Sequence, residues 1–126
     1  MKKLAFILMI SLLLQACGPF NTDNELSQSL PGTYIRISQN EFGTEHDTLV
    51  IVLQNPSSDE YKLIRHWKYE RQVDGQKLEP KYEIKITVAV LDKDRSTLFE
   101  SSTGDTYSYD EKQKILFNGP EKYYKR

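Results

Sequence analysis

Few residues in this chain are of a type and spacing that could do chemistry. The single cysteine, Cys17, closes an apolar run that begins just after Lys2-Lys3. A thiol at the end of such a run stands at a lipid–water boundary, where it can act as a nucleophile, and a serine would not be an equivalent acceptor. His46 lies between Glu45 and Asp47, a grouping that could coordinate a metal or tune an imidazole. Neighbours in a loop rarely converge on one ion without a distant partner, and the other histidine, His66, falls on the polar face of a strand, so no metal site is expected. No Gly-x-Ser-x-Gly occurs and the one thiol is committed to another role, so neither a serine nor a cysteine nucleophile is expected. Asp92 and Asp94 belong to a turn, where solvated acids are the ordinary finding and a glycosidase pair is not. Catalytic residues, cofactors and metal ligands are thus all read as none. Tyr61, Trp67 and Tyr69 form an aromatic stripe that could face a small apolar ligand or be plain core. Arg65 lies on the same stripe, and a buried guanidinium needs a carboxylate or several carbonyls, so either it pairs, with Asp105 and Glu100 as candidates, or that end of the strand opens to water.

Met1 to Ala16 reads as a secretory signal: two lysines, an apolar core from Leu4 to Leu14 broken only by Ser11, and small Ala16 before the cleavage point. The core is too short for a permanent span, which needs about 20 apolar residues, and Gly18-Pro19 ends any helix. Leu14, Gln15, Ala16 and Cys17 together resemble the lipobox of bacterial lipoproteins. The resemblance implies cleavage between Ala16 and Cys17, a diacylglyceryl group on the Cys17 thiol and an acyl chain such as palmitate on the new amino terminus. Each buried CH₂ contributes about 0.8 kcal/mol, so two or three chains hold a small domain stably where one does not. Gly18 stands where an Asp would signal inner-membrane retention, and no acidic cluster follows Cys17. The resemblance therefore implies a lipid-anchored envelope protein of the outer membrane, facing the periplasm.

Without Lys2 and Lys3 the chain keeps 15 basic against 18 acidic residues, a net charge of −3. These charges alternate in sequence, so no nucleic-acid partner is expected, since phosphate contacts need clustered Lys and Arg. One cysteine allows no disulfide within the chain, and a domain near 100 residues must then bury most of its large side chains. Eight tyrosines supply much of that bulk.

Residues 1–16 are read as signal peptide, 17–29 as the lipidated cysteine with a flexible polar tether, and 30–126 as a single β domain. Gly32 to Ser38 alternates Thr33, Ile35 and Ile37 with Tyr34, Arg36 and Ser38, and Thr48 to Leu53 suits a strand buried on both faces. Tyr61 to Arg71 places Tyr61, Leu63, Arg65, Trp67 and Tyr69 inward. Asp74-Gly75 suits a hairpin turn. The next strand is predicted to turn Tyr82, Ile84, Ile86, Val88 and Val90 inward and Lys81, Glu83, Lys85 and Thr87 outward. Asp92 to Arg95 and Thr103 to Asp105 are turns, Thr97 to Ser101 is a short strand, and Thr106 to Tyr109 with Lys114 to Phe117 makes a last hairpin. Gln39 to Asp47 is the longest connection and the expected mouth. The pattern predicts an all-β fold, an antiparallel up-and-down meander of about seven or eight strands closing into a small barrel or sandwich after the N-terminal signal helix.

Several stretches, Pro31-Gly32-Thr33-Tyr34, Glu41 to Thr44, Asp47-Thr48-Leu49, Arg65 to Arg71, Thr103 to Asp110 and Gly119-Pro120 with Lys122-Tyr123, resemble small lipoproteins encoded with conjugative transposons of gut anaerobes. That resemblance implies a genetic setting, and together with the anchor and the lack of a recognisable site it leads to the expectation of a non-enzymatic accessory or protein-interaction component in conjugative transfer, with an envelope protein as partner. It transfers no catalytic residue. Gly32-Thr33-Tyr34 and Lys122 to Lys125 are also similar to the ends of lipocalin-type meanders, which implies the alternative of a carrier for a small apolar ligand.

Overall fold

The computed structural model describes residues 22–126. A short helix, α1 (Thr22–Ser29), precedes nine strands: β1 (Gly32–Asn40), β2 (Gly43–Asn55), β3 (Glu60–Val73), β4 (Gln76–Lys77), β5 (Lys81–Asp92), β6 (Thr97–Glu100), β7 (Thr106–Asp110), β8 (Ile115–Asn118) and β9 (Glu121–Lys125). Every pairing is antiparallel, in the order β2-β1-β9-β8-β7-β6-β5-β3, and β2 pairs with β3 to close the ring, while β4 is a two-residue extension on β3. The fold is therefore all-β, a small lipocalin-like barrel of eight strands. Closure is completed by β9, whose Tyr124 and Lys125 pair with Ile35 and Tyr34 of β1.

Turn chemistry explains the meander. Asp74 (φ 49°) and Gly75 (φ 79°) take the left-handed conformation that a tight hairpin requires. Asn55 caps the Pro56–Ser58 turn by accepting from the Ser57 amide, and Asp92 and Asp110 accept from amides of the turns they open. The core consists of leucines and tyrosines: Leu49, Ile51, Leu63, Leu98 and Leu116 surround Tyr34, Tyr61, Tyr107, Tyr109 and Tyr123, all of them buried. Tyr34 meets Tyr109, and Tyr107 meets Tyr123, edge to face at 6.1 and 6.4 Å.

Four expectations are corrected. The tether predicted to end at Ser29 is, from Thr22 onward, helix α1, and Leu26 and Leu30 are buried against the barrel end. Eight residues do not hold a helix alone, and here the docking does: Tyr34 donates its hydroxyl to the Leu30 carbonyl (2.6 Å), Ser29 Oγ lies 2.7 Å from the Tyr109 hydroxyl, and the Lys125 ammonium reaches the Ser29 carbonyl. The long connection predicted over Gln39 to Asp47 is instead a two-residue turn between extended strands, since Asn40 pairs with Gly43 and its side chain accepts from the Phe42 amide. The β2 run is buried on one face, with Leu49 and Ile51 inside and Val52 exposed. Strand β5 is turned over: Ala89 and Leu91 face the core, whereas Tyr82, Ile84, Ile86 and Val90 are exposed. The reason is volume. Ala89 and Thr87 stand opposite Tyr61 and Leu63 on β3, and a barrel filled by tyrosines has room for small residues there.

Leu26→Ala tests the docking of α1. It is expected to cost about 2 kcal/mol, the lower end for a buried leucine, because undocking of a short terminal helix caps the loss. Urea unfolding gives the magnitude, and hydrogen exchange should show the 26–30 amides opening while those of β2 and β3 stay protected.

Candidate functional site

The long strands bring one polar cluster into the barrel. Residues of equal parity on β2 face inward, so Asp47 follows Leu49 and Ile51 into the interior and is wholly buried. Arg65 of β3 grips its carboxylate with two parallel bonds, Nε to Oδ1 at 2.9 Å and Nη2 to Oδ2 at 2.7 Å. Tyr123 of β9 donates its hydroxyl to Oδ2 at 2.8 Å, and Arg36 of β1 approaches the same oxygen at 3.4 Å. Arg36 also donates to Glu45 Oε1 at 2.7 Å and lies 5.6 Å from the Tyr123 ring centre, with Glu121 3.6 Å from its Nε. The Trp67 indole donates to Glu45 Oε1 at 2.8 Å, and its ring stacks on Tyr69 with centroids 5.9 Å apart.

Burial by itself would raise the Asp47 pKa, but the hydrogen bonds from Arg65 and Tyr123 and the charges of Arg65 and Arg36 outweigh it and hold the carboxyl below its usual range. The Tyr123 phenol is pushed up to about 12, first by burial and then by the Asp47 carboxylate beside it. Because the Asp47 pKa is depressed on folding, its stabilisation is present above the unfolded value and is lost as pH falls through the lower folded one. Urea midpoints are expected to hold between pH 7 and 5 and to fall below about pH 4, the ordinary aspartate range. Asp47→Asn should flatten that acid limb.

This cluster joins three strands to β2 through one carboxylate. Both carboxylate oxygens accept from donors, Oδ1 from Arg65 and Oδ2 from Arg65, Tyr123 and Arg36, so the group is held in one orientation. From β2 it holds three partners, Arg36 on β1, Arg65 on β3 and Tyr123 on β9, so it ties down the seam where β1 and β9 share only two residue pairs.

Strand alternation separates the residues grouped in the sequence. His46 points outward, 3.5 Å from Glu70 Oε2, while Glu45 and Asp47 point inward, and no grouping of three His, Cys, Asp or Glu able to hold an ion occurs among the described residues. Arg65 pairs with Asp47 and not with Asp105 or Glu100; Glu100 is buried and receives the Tyr107 hydroxyl at 3.5 Å. Tyr61 does not join Trp67 and Tyr69. It is core, paired across from Leu53 and Ala89, and six residues of strand put it about 20 Å from Trp67. Asp92 stays in its turn, salt-bridged to Arg95. Cys17, with the cleavage point between Ala16 and Cys17, lies outside the described residues. The Tyr61 hydroxyl finds no partner among the described residues. Tyr61→Phe is therefore expected to leave the thermal midpoint unchanged or raise it, because an unpartnered buried hydroxyl is lost at no cost in hydrogen bonds.

The interior is filled around the leucine and tyrosine core, while Glu83 and Lys85 on the inward face of β5 remain exposed. Beside Leu49, Leu63 and Arg65 a cavity of about 20 Å³ remains, the size of one water. The outside is not closed off. Register across β1, β2, β3 and β5 sets side chains of one parity in rows: Ile37, His46, Lys68 and Tyr82; then Ile35, Thr48, His66 and Ile84; then Thr33, Val50, Ile64 and Ile86; then Val52, Lys62 and Val88. Val90 and Phe99 continue the wall on β5 and β6. Ile37, Val52, Tyr82, Ile84, Ile86, Val90 and Phe99 are all exposed, on the order of 600 Å² of apolar side chain, the upper end of what monomers leave uncovered.

A scan against protein-family models, a search of curated proteins and a search of solved structures each gave no match to the chain.

Proposed function

We propose that this chain is a non-enzymatic, lipid-anchored lipoprotein of the bacterial envelope, held in the outer membrane facing the periplasm through Cys17, and that it serves conjugative transfer by binding another envelope protein. The observation that carries a binding role is the division between inside and outside. The interior is occupied by tyrosines and by a cluster whose carboxylate is fully engaged, while the wall over β1, β2, β3 and β5 leaves isoleucine, valine and tyrosine in water. A barrel that has its own leucine and tyrosine core and still leaves a row of large apolar side chains on its outer wall has a surface suited to a partner. The anchor and the genetic setting come from the lipobox and from the resemblance to conjugative-transposon lipoproteins.

The alternative of a carrier for a small apolar ligand has less support, because the space below Trp67 and Tyr69 is taken up by Glu45, Arg36 and Asp47. Two measurements test the proposal. Intact mass of the exported protein should show acyl chains on Cys17, and Cys17→Ser should release the protein from membranes. Deleting the gene should change transfer frequency or recipient exclusion, and the lipidated protein with Ile84→Glu and Ile86→Glu should fail to restore it while remaining folded and anchored. Unaltered transfer after deletion excludes the role.

A further inference from the structure

The two halves of the barrel differ in length. Strands β1, β2, β3 and β5 have 9, 13, 14 and 12 residues, whereas β6 to β9 have four or five. Strand β6 reaches only Ala89 to Asp92 of β5, so residues 81–88 pair with β3 on one side and, among the described residues, with nothing on the other. This is an eight-residue open edge, exposed on both faces over 81–86. It carries no proline or bulge to deter pairing.

The edge is complementary to itself. We propose that two copies of this chain join edge to edge through β5, antiparallel about Ile84, into one continuous sheet. A two-fold centred there keeps the outer faces together and sets Ile84 against Ile84 and Tyr82 against Ile86 on the outside. On the inside it sets Glu83 against Lys85, twice. Centring one residue earlier opposes Glu83 to Glu83 and Lys81 to Lys85; centring one later opposes Lys85 to Lys85. Centring on Tyr82 would also oppose Lys81 to Glu83, but it pairs only residues 81–83 of the open edge and draws Pro80 into the ladder, so charge and length together select the register about Ile84, and the apolar outer wall of each copy becomes half of a shared platform. The inference stands apart from the anchor and the transfer role, since it needs only residues 22–126, which contain the whole sheet and its core.

That segment, lacking Cys17, is the material for the test. Sedimentation velocity should show a monomer–dimer equilibrium with a dissociation constant of about 10–100 µM, as suits a small interface. Glu83→Lys sets ammonium groups against each other and Lys85→Glu does the same with carboxylates, so each should weaken the dimer at least 10-fold, and the two together should restore it. Both positions are exposed, and circular dichroism checks that each variant folds. Ile84→Cys should cross-link to itself on oxidation, because facing residues bring their Cβ atoms within disulfide reach, whereas Val90→Cys should not. A monomer at every concentration overturns the inference. So does a dimer indifferent to both charge reversals, which would place the contact on another surface.

Discussion

Asp47→Asn is expected to remove about 3–5 kcal/mol of folding free energy, the cost of taking one partner from a buried ion pair. The substituted amide keeps the shape of the carboxylate but not its charge, leaving Arg65 and Arg36 facing each other across the Tyr123 hydroxyl with no anion between them. The Arg65 side chain is 40% exposed, so water reaches it and the loss should fall toward 3 kcal/mol. For a domain of this size that lowers the thermal midpoint by on the order of 10–20 °C. Tyr123→Phe removes one donor and should cost about 1 kcal/mol. The decisive comparison is a double-mutant cycle with Arg65→Met. That substitution should destabilise the wild type strongly and the Asp47→Asn variant little or not at all, because the guanidinium has nothing left to hold. A midpoint for Asp47→Asn within about 2 °C of wild type would show that the clamp does not secure the seam.

How far this architecture can be read from the sequence depends on which signal a residue carries. Alternation and turn residues report strands well, because a period of two and an Asp-Gly pair are local properties, and β3, the Asp74-Gly75 turn and the all-β meander follow from them directly. Alternation does not say which face is inside. On β5 the apolar residues are the outer ones, and the information that reverses them sits elsewhere, in the tyrosines of β1, β3, β7 and β9 that fill the barrel and demand Ala89 opposite Tyr61. Strand β9 pairs with a strand some 90 residues earlier, a partnership no local pattern announces. Asp47 was legible in part. It shares parity with Leu49 and Ile51, which marks an inward carboxylate in need of a cation, but its partners Arg36 and Tyr123 come from strands whose order the sequence does not state. Leu26 and Leu30 are four apart in a polar segment, a spacing that puts both on one helical face; the helix exists because that face finds the barrel end.

Gly43→Ala should be the most damaging conservative substitution in the chain, costing about 3 kcal/mol or more from backbone strain and overpacking together. Gly43 opens β2 at φ +149°, and a Cβ built there would lie 2.1 Å from the Glu70 carbonyl oxygen and 3.1 Å from the Arg71 Cα. Those atoms are backbone of β3, so no side-chain rotation relieves the clash. The hairpin tip is also fixed to the same stretch, since the Gln72 amide donates to the Phe42 carbonyl at 2.8 Å. To admit a methyl group, the β1–β2 hairpin must lift from β3, loosening the rows that include Glu45 and Tyr69 and, one step further, Asp47 and Trp67. Gly75→Ala provides the control. Gly75 also has positive φ, at 79°, but nothing lies within 4 Å of its added Cβ, so its cost should be only about 1 kcal/mol. Urea unfolding of the two variants separates crowding from conformational preference. Equal losses would mean that β3 does not lie against Gly43, while a loss about threefold greater at Gly43, with a shifted Trp67 emission in the native state, would place the strain at the end of the sheet that carries the Trp67–Tyr69 stack.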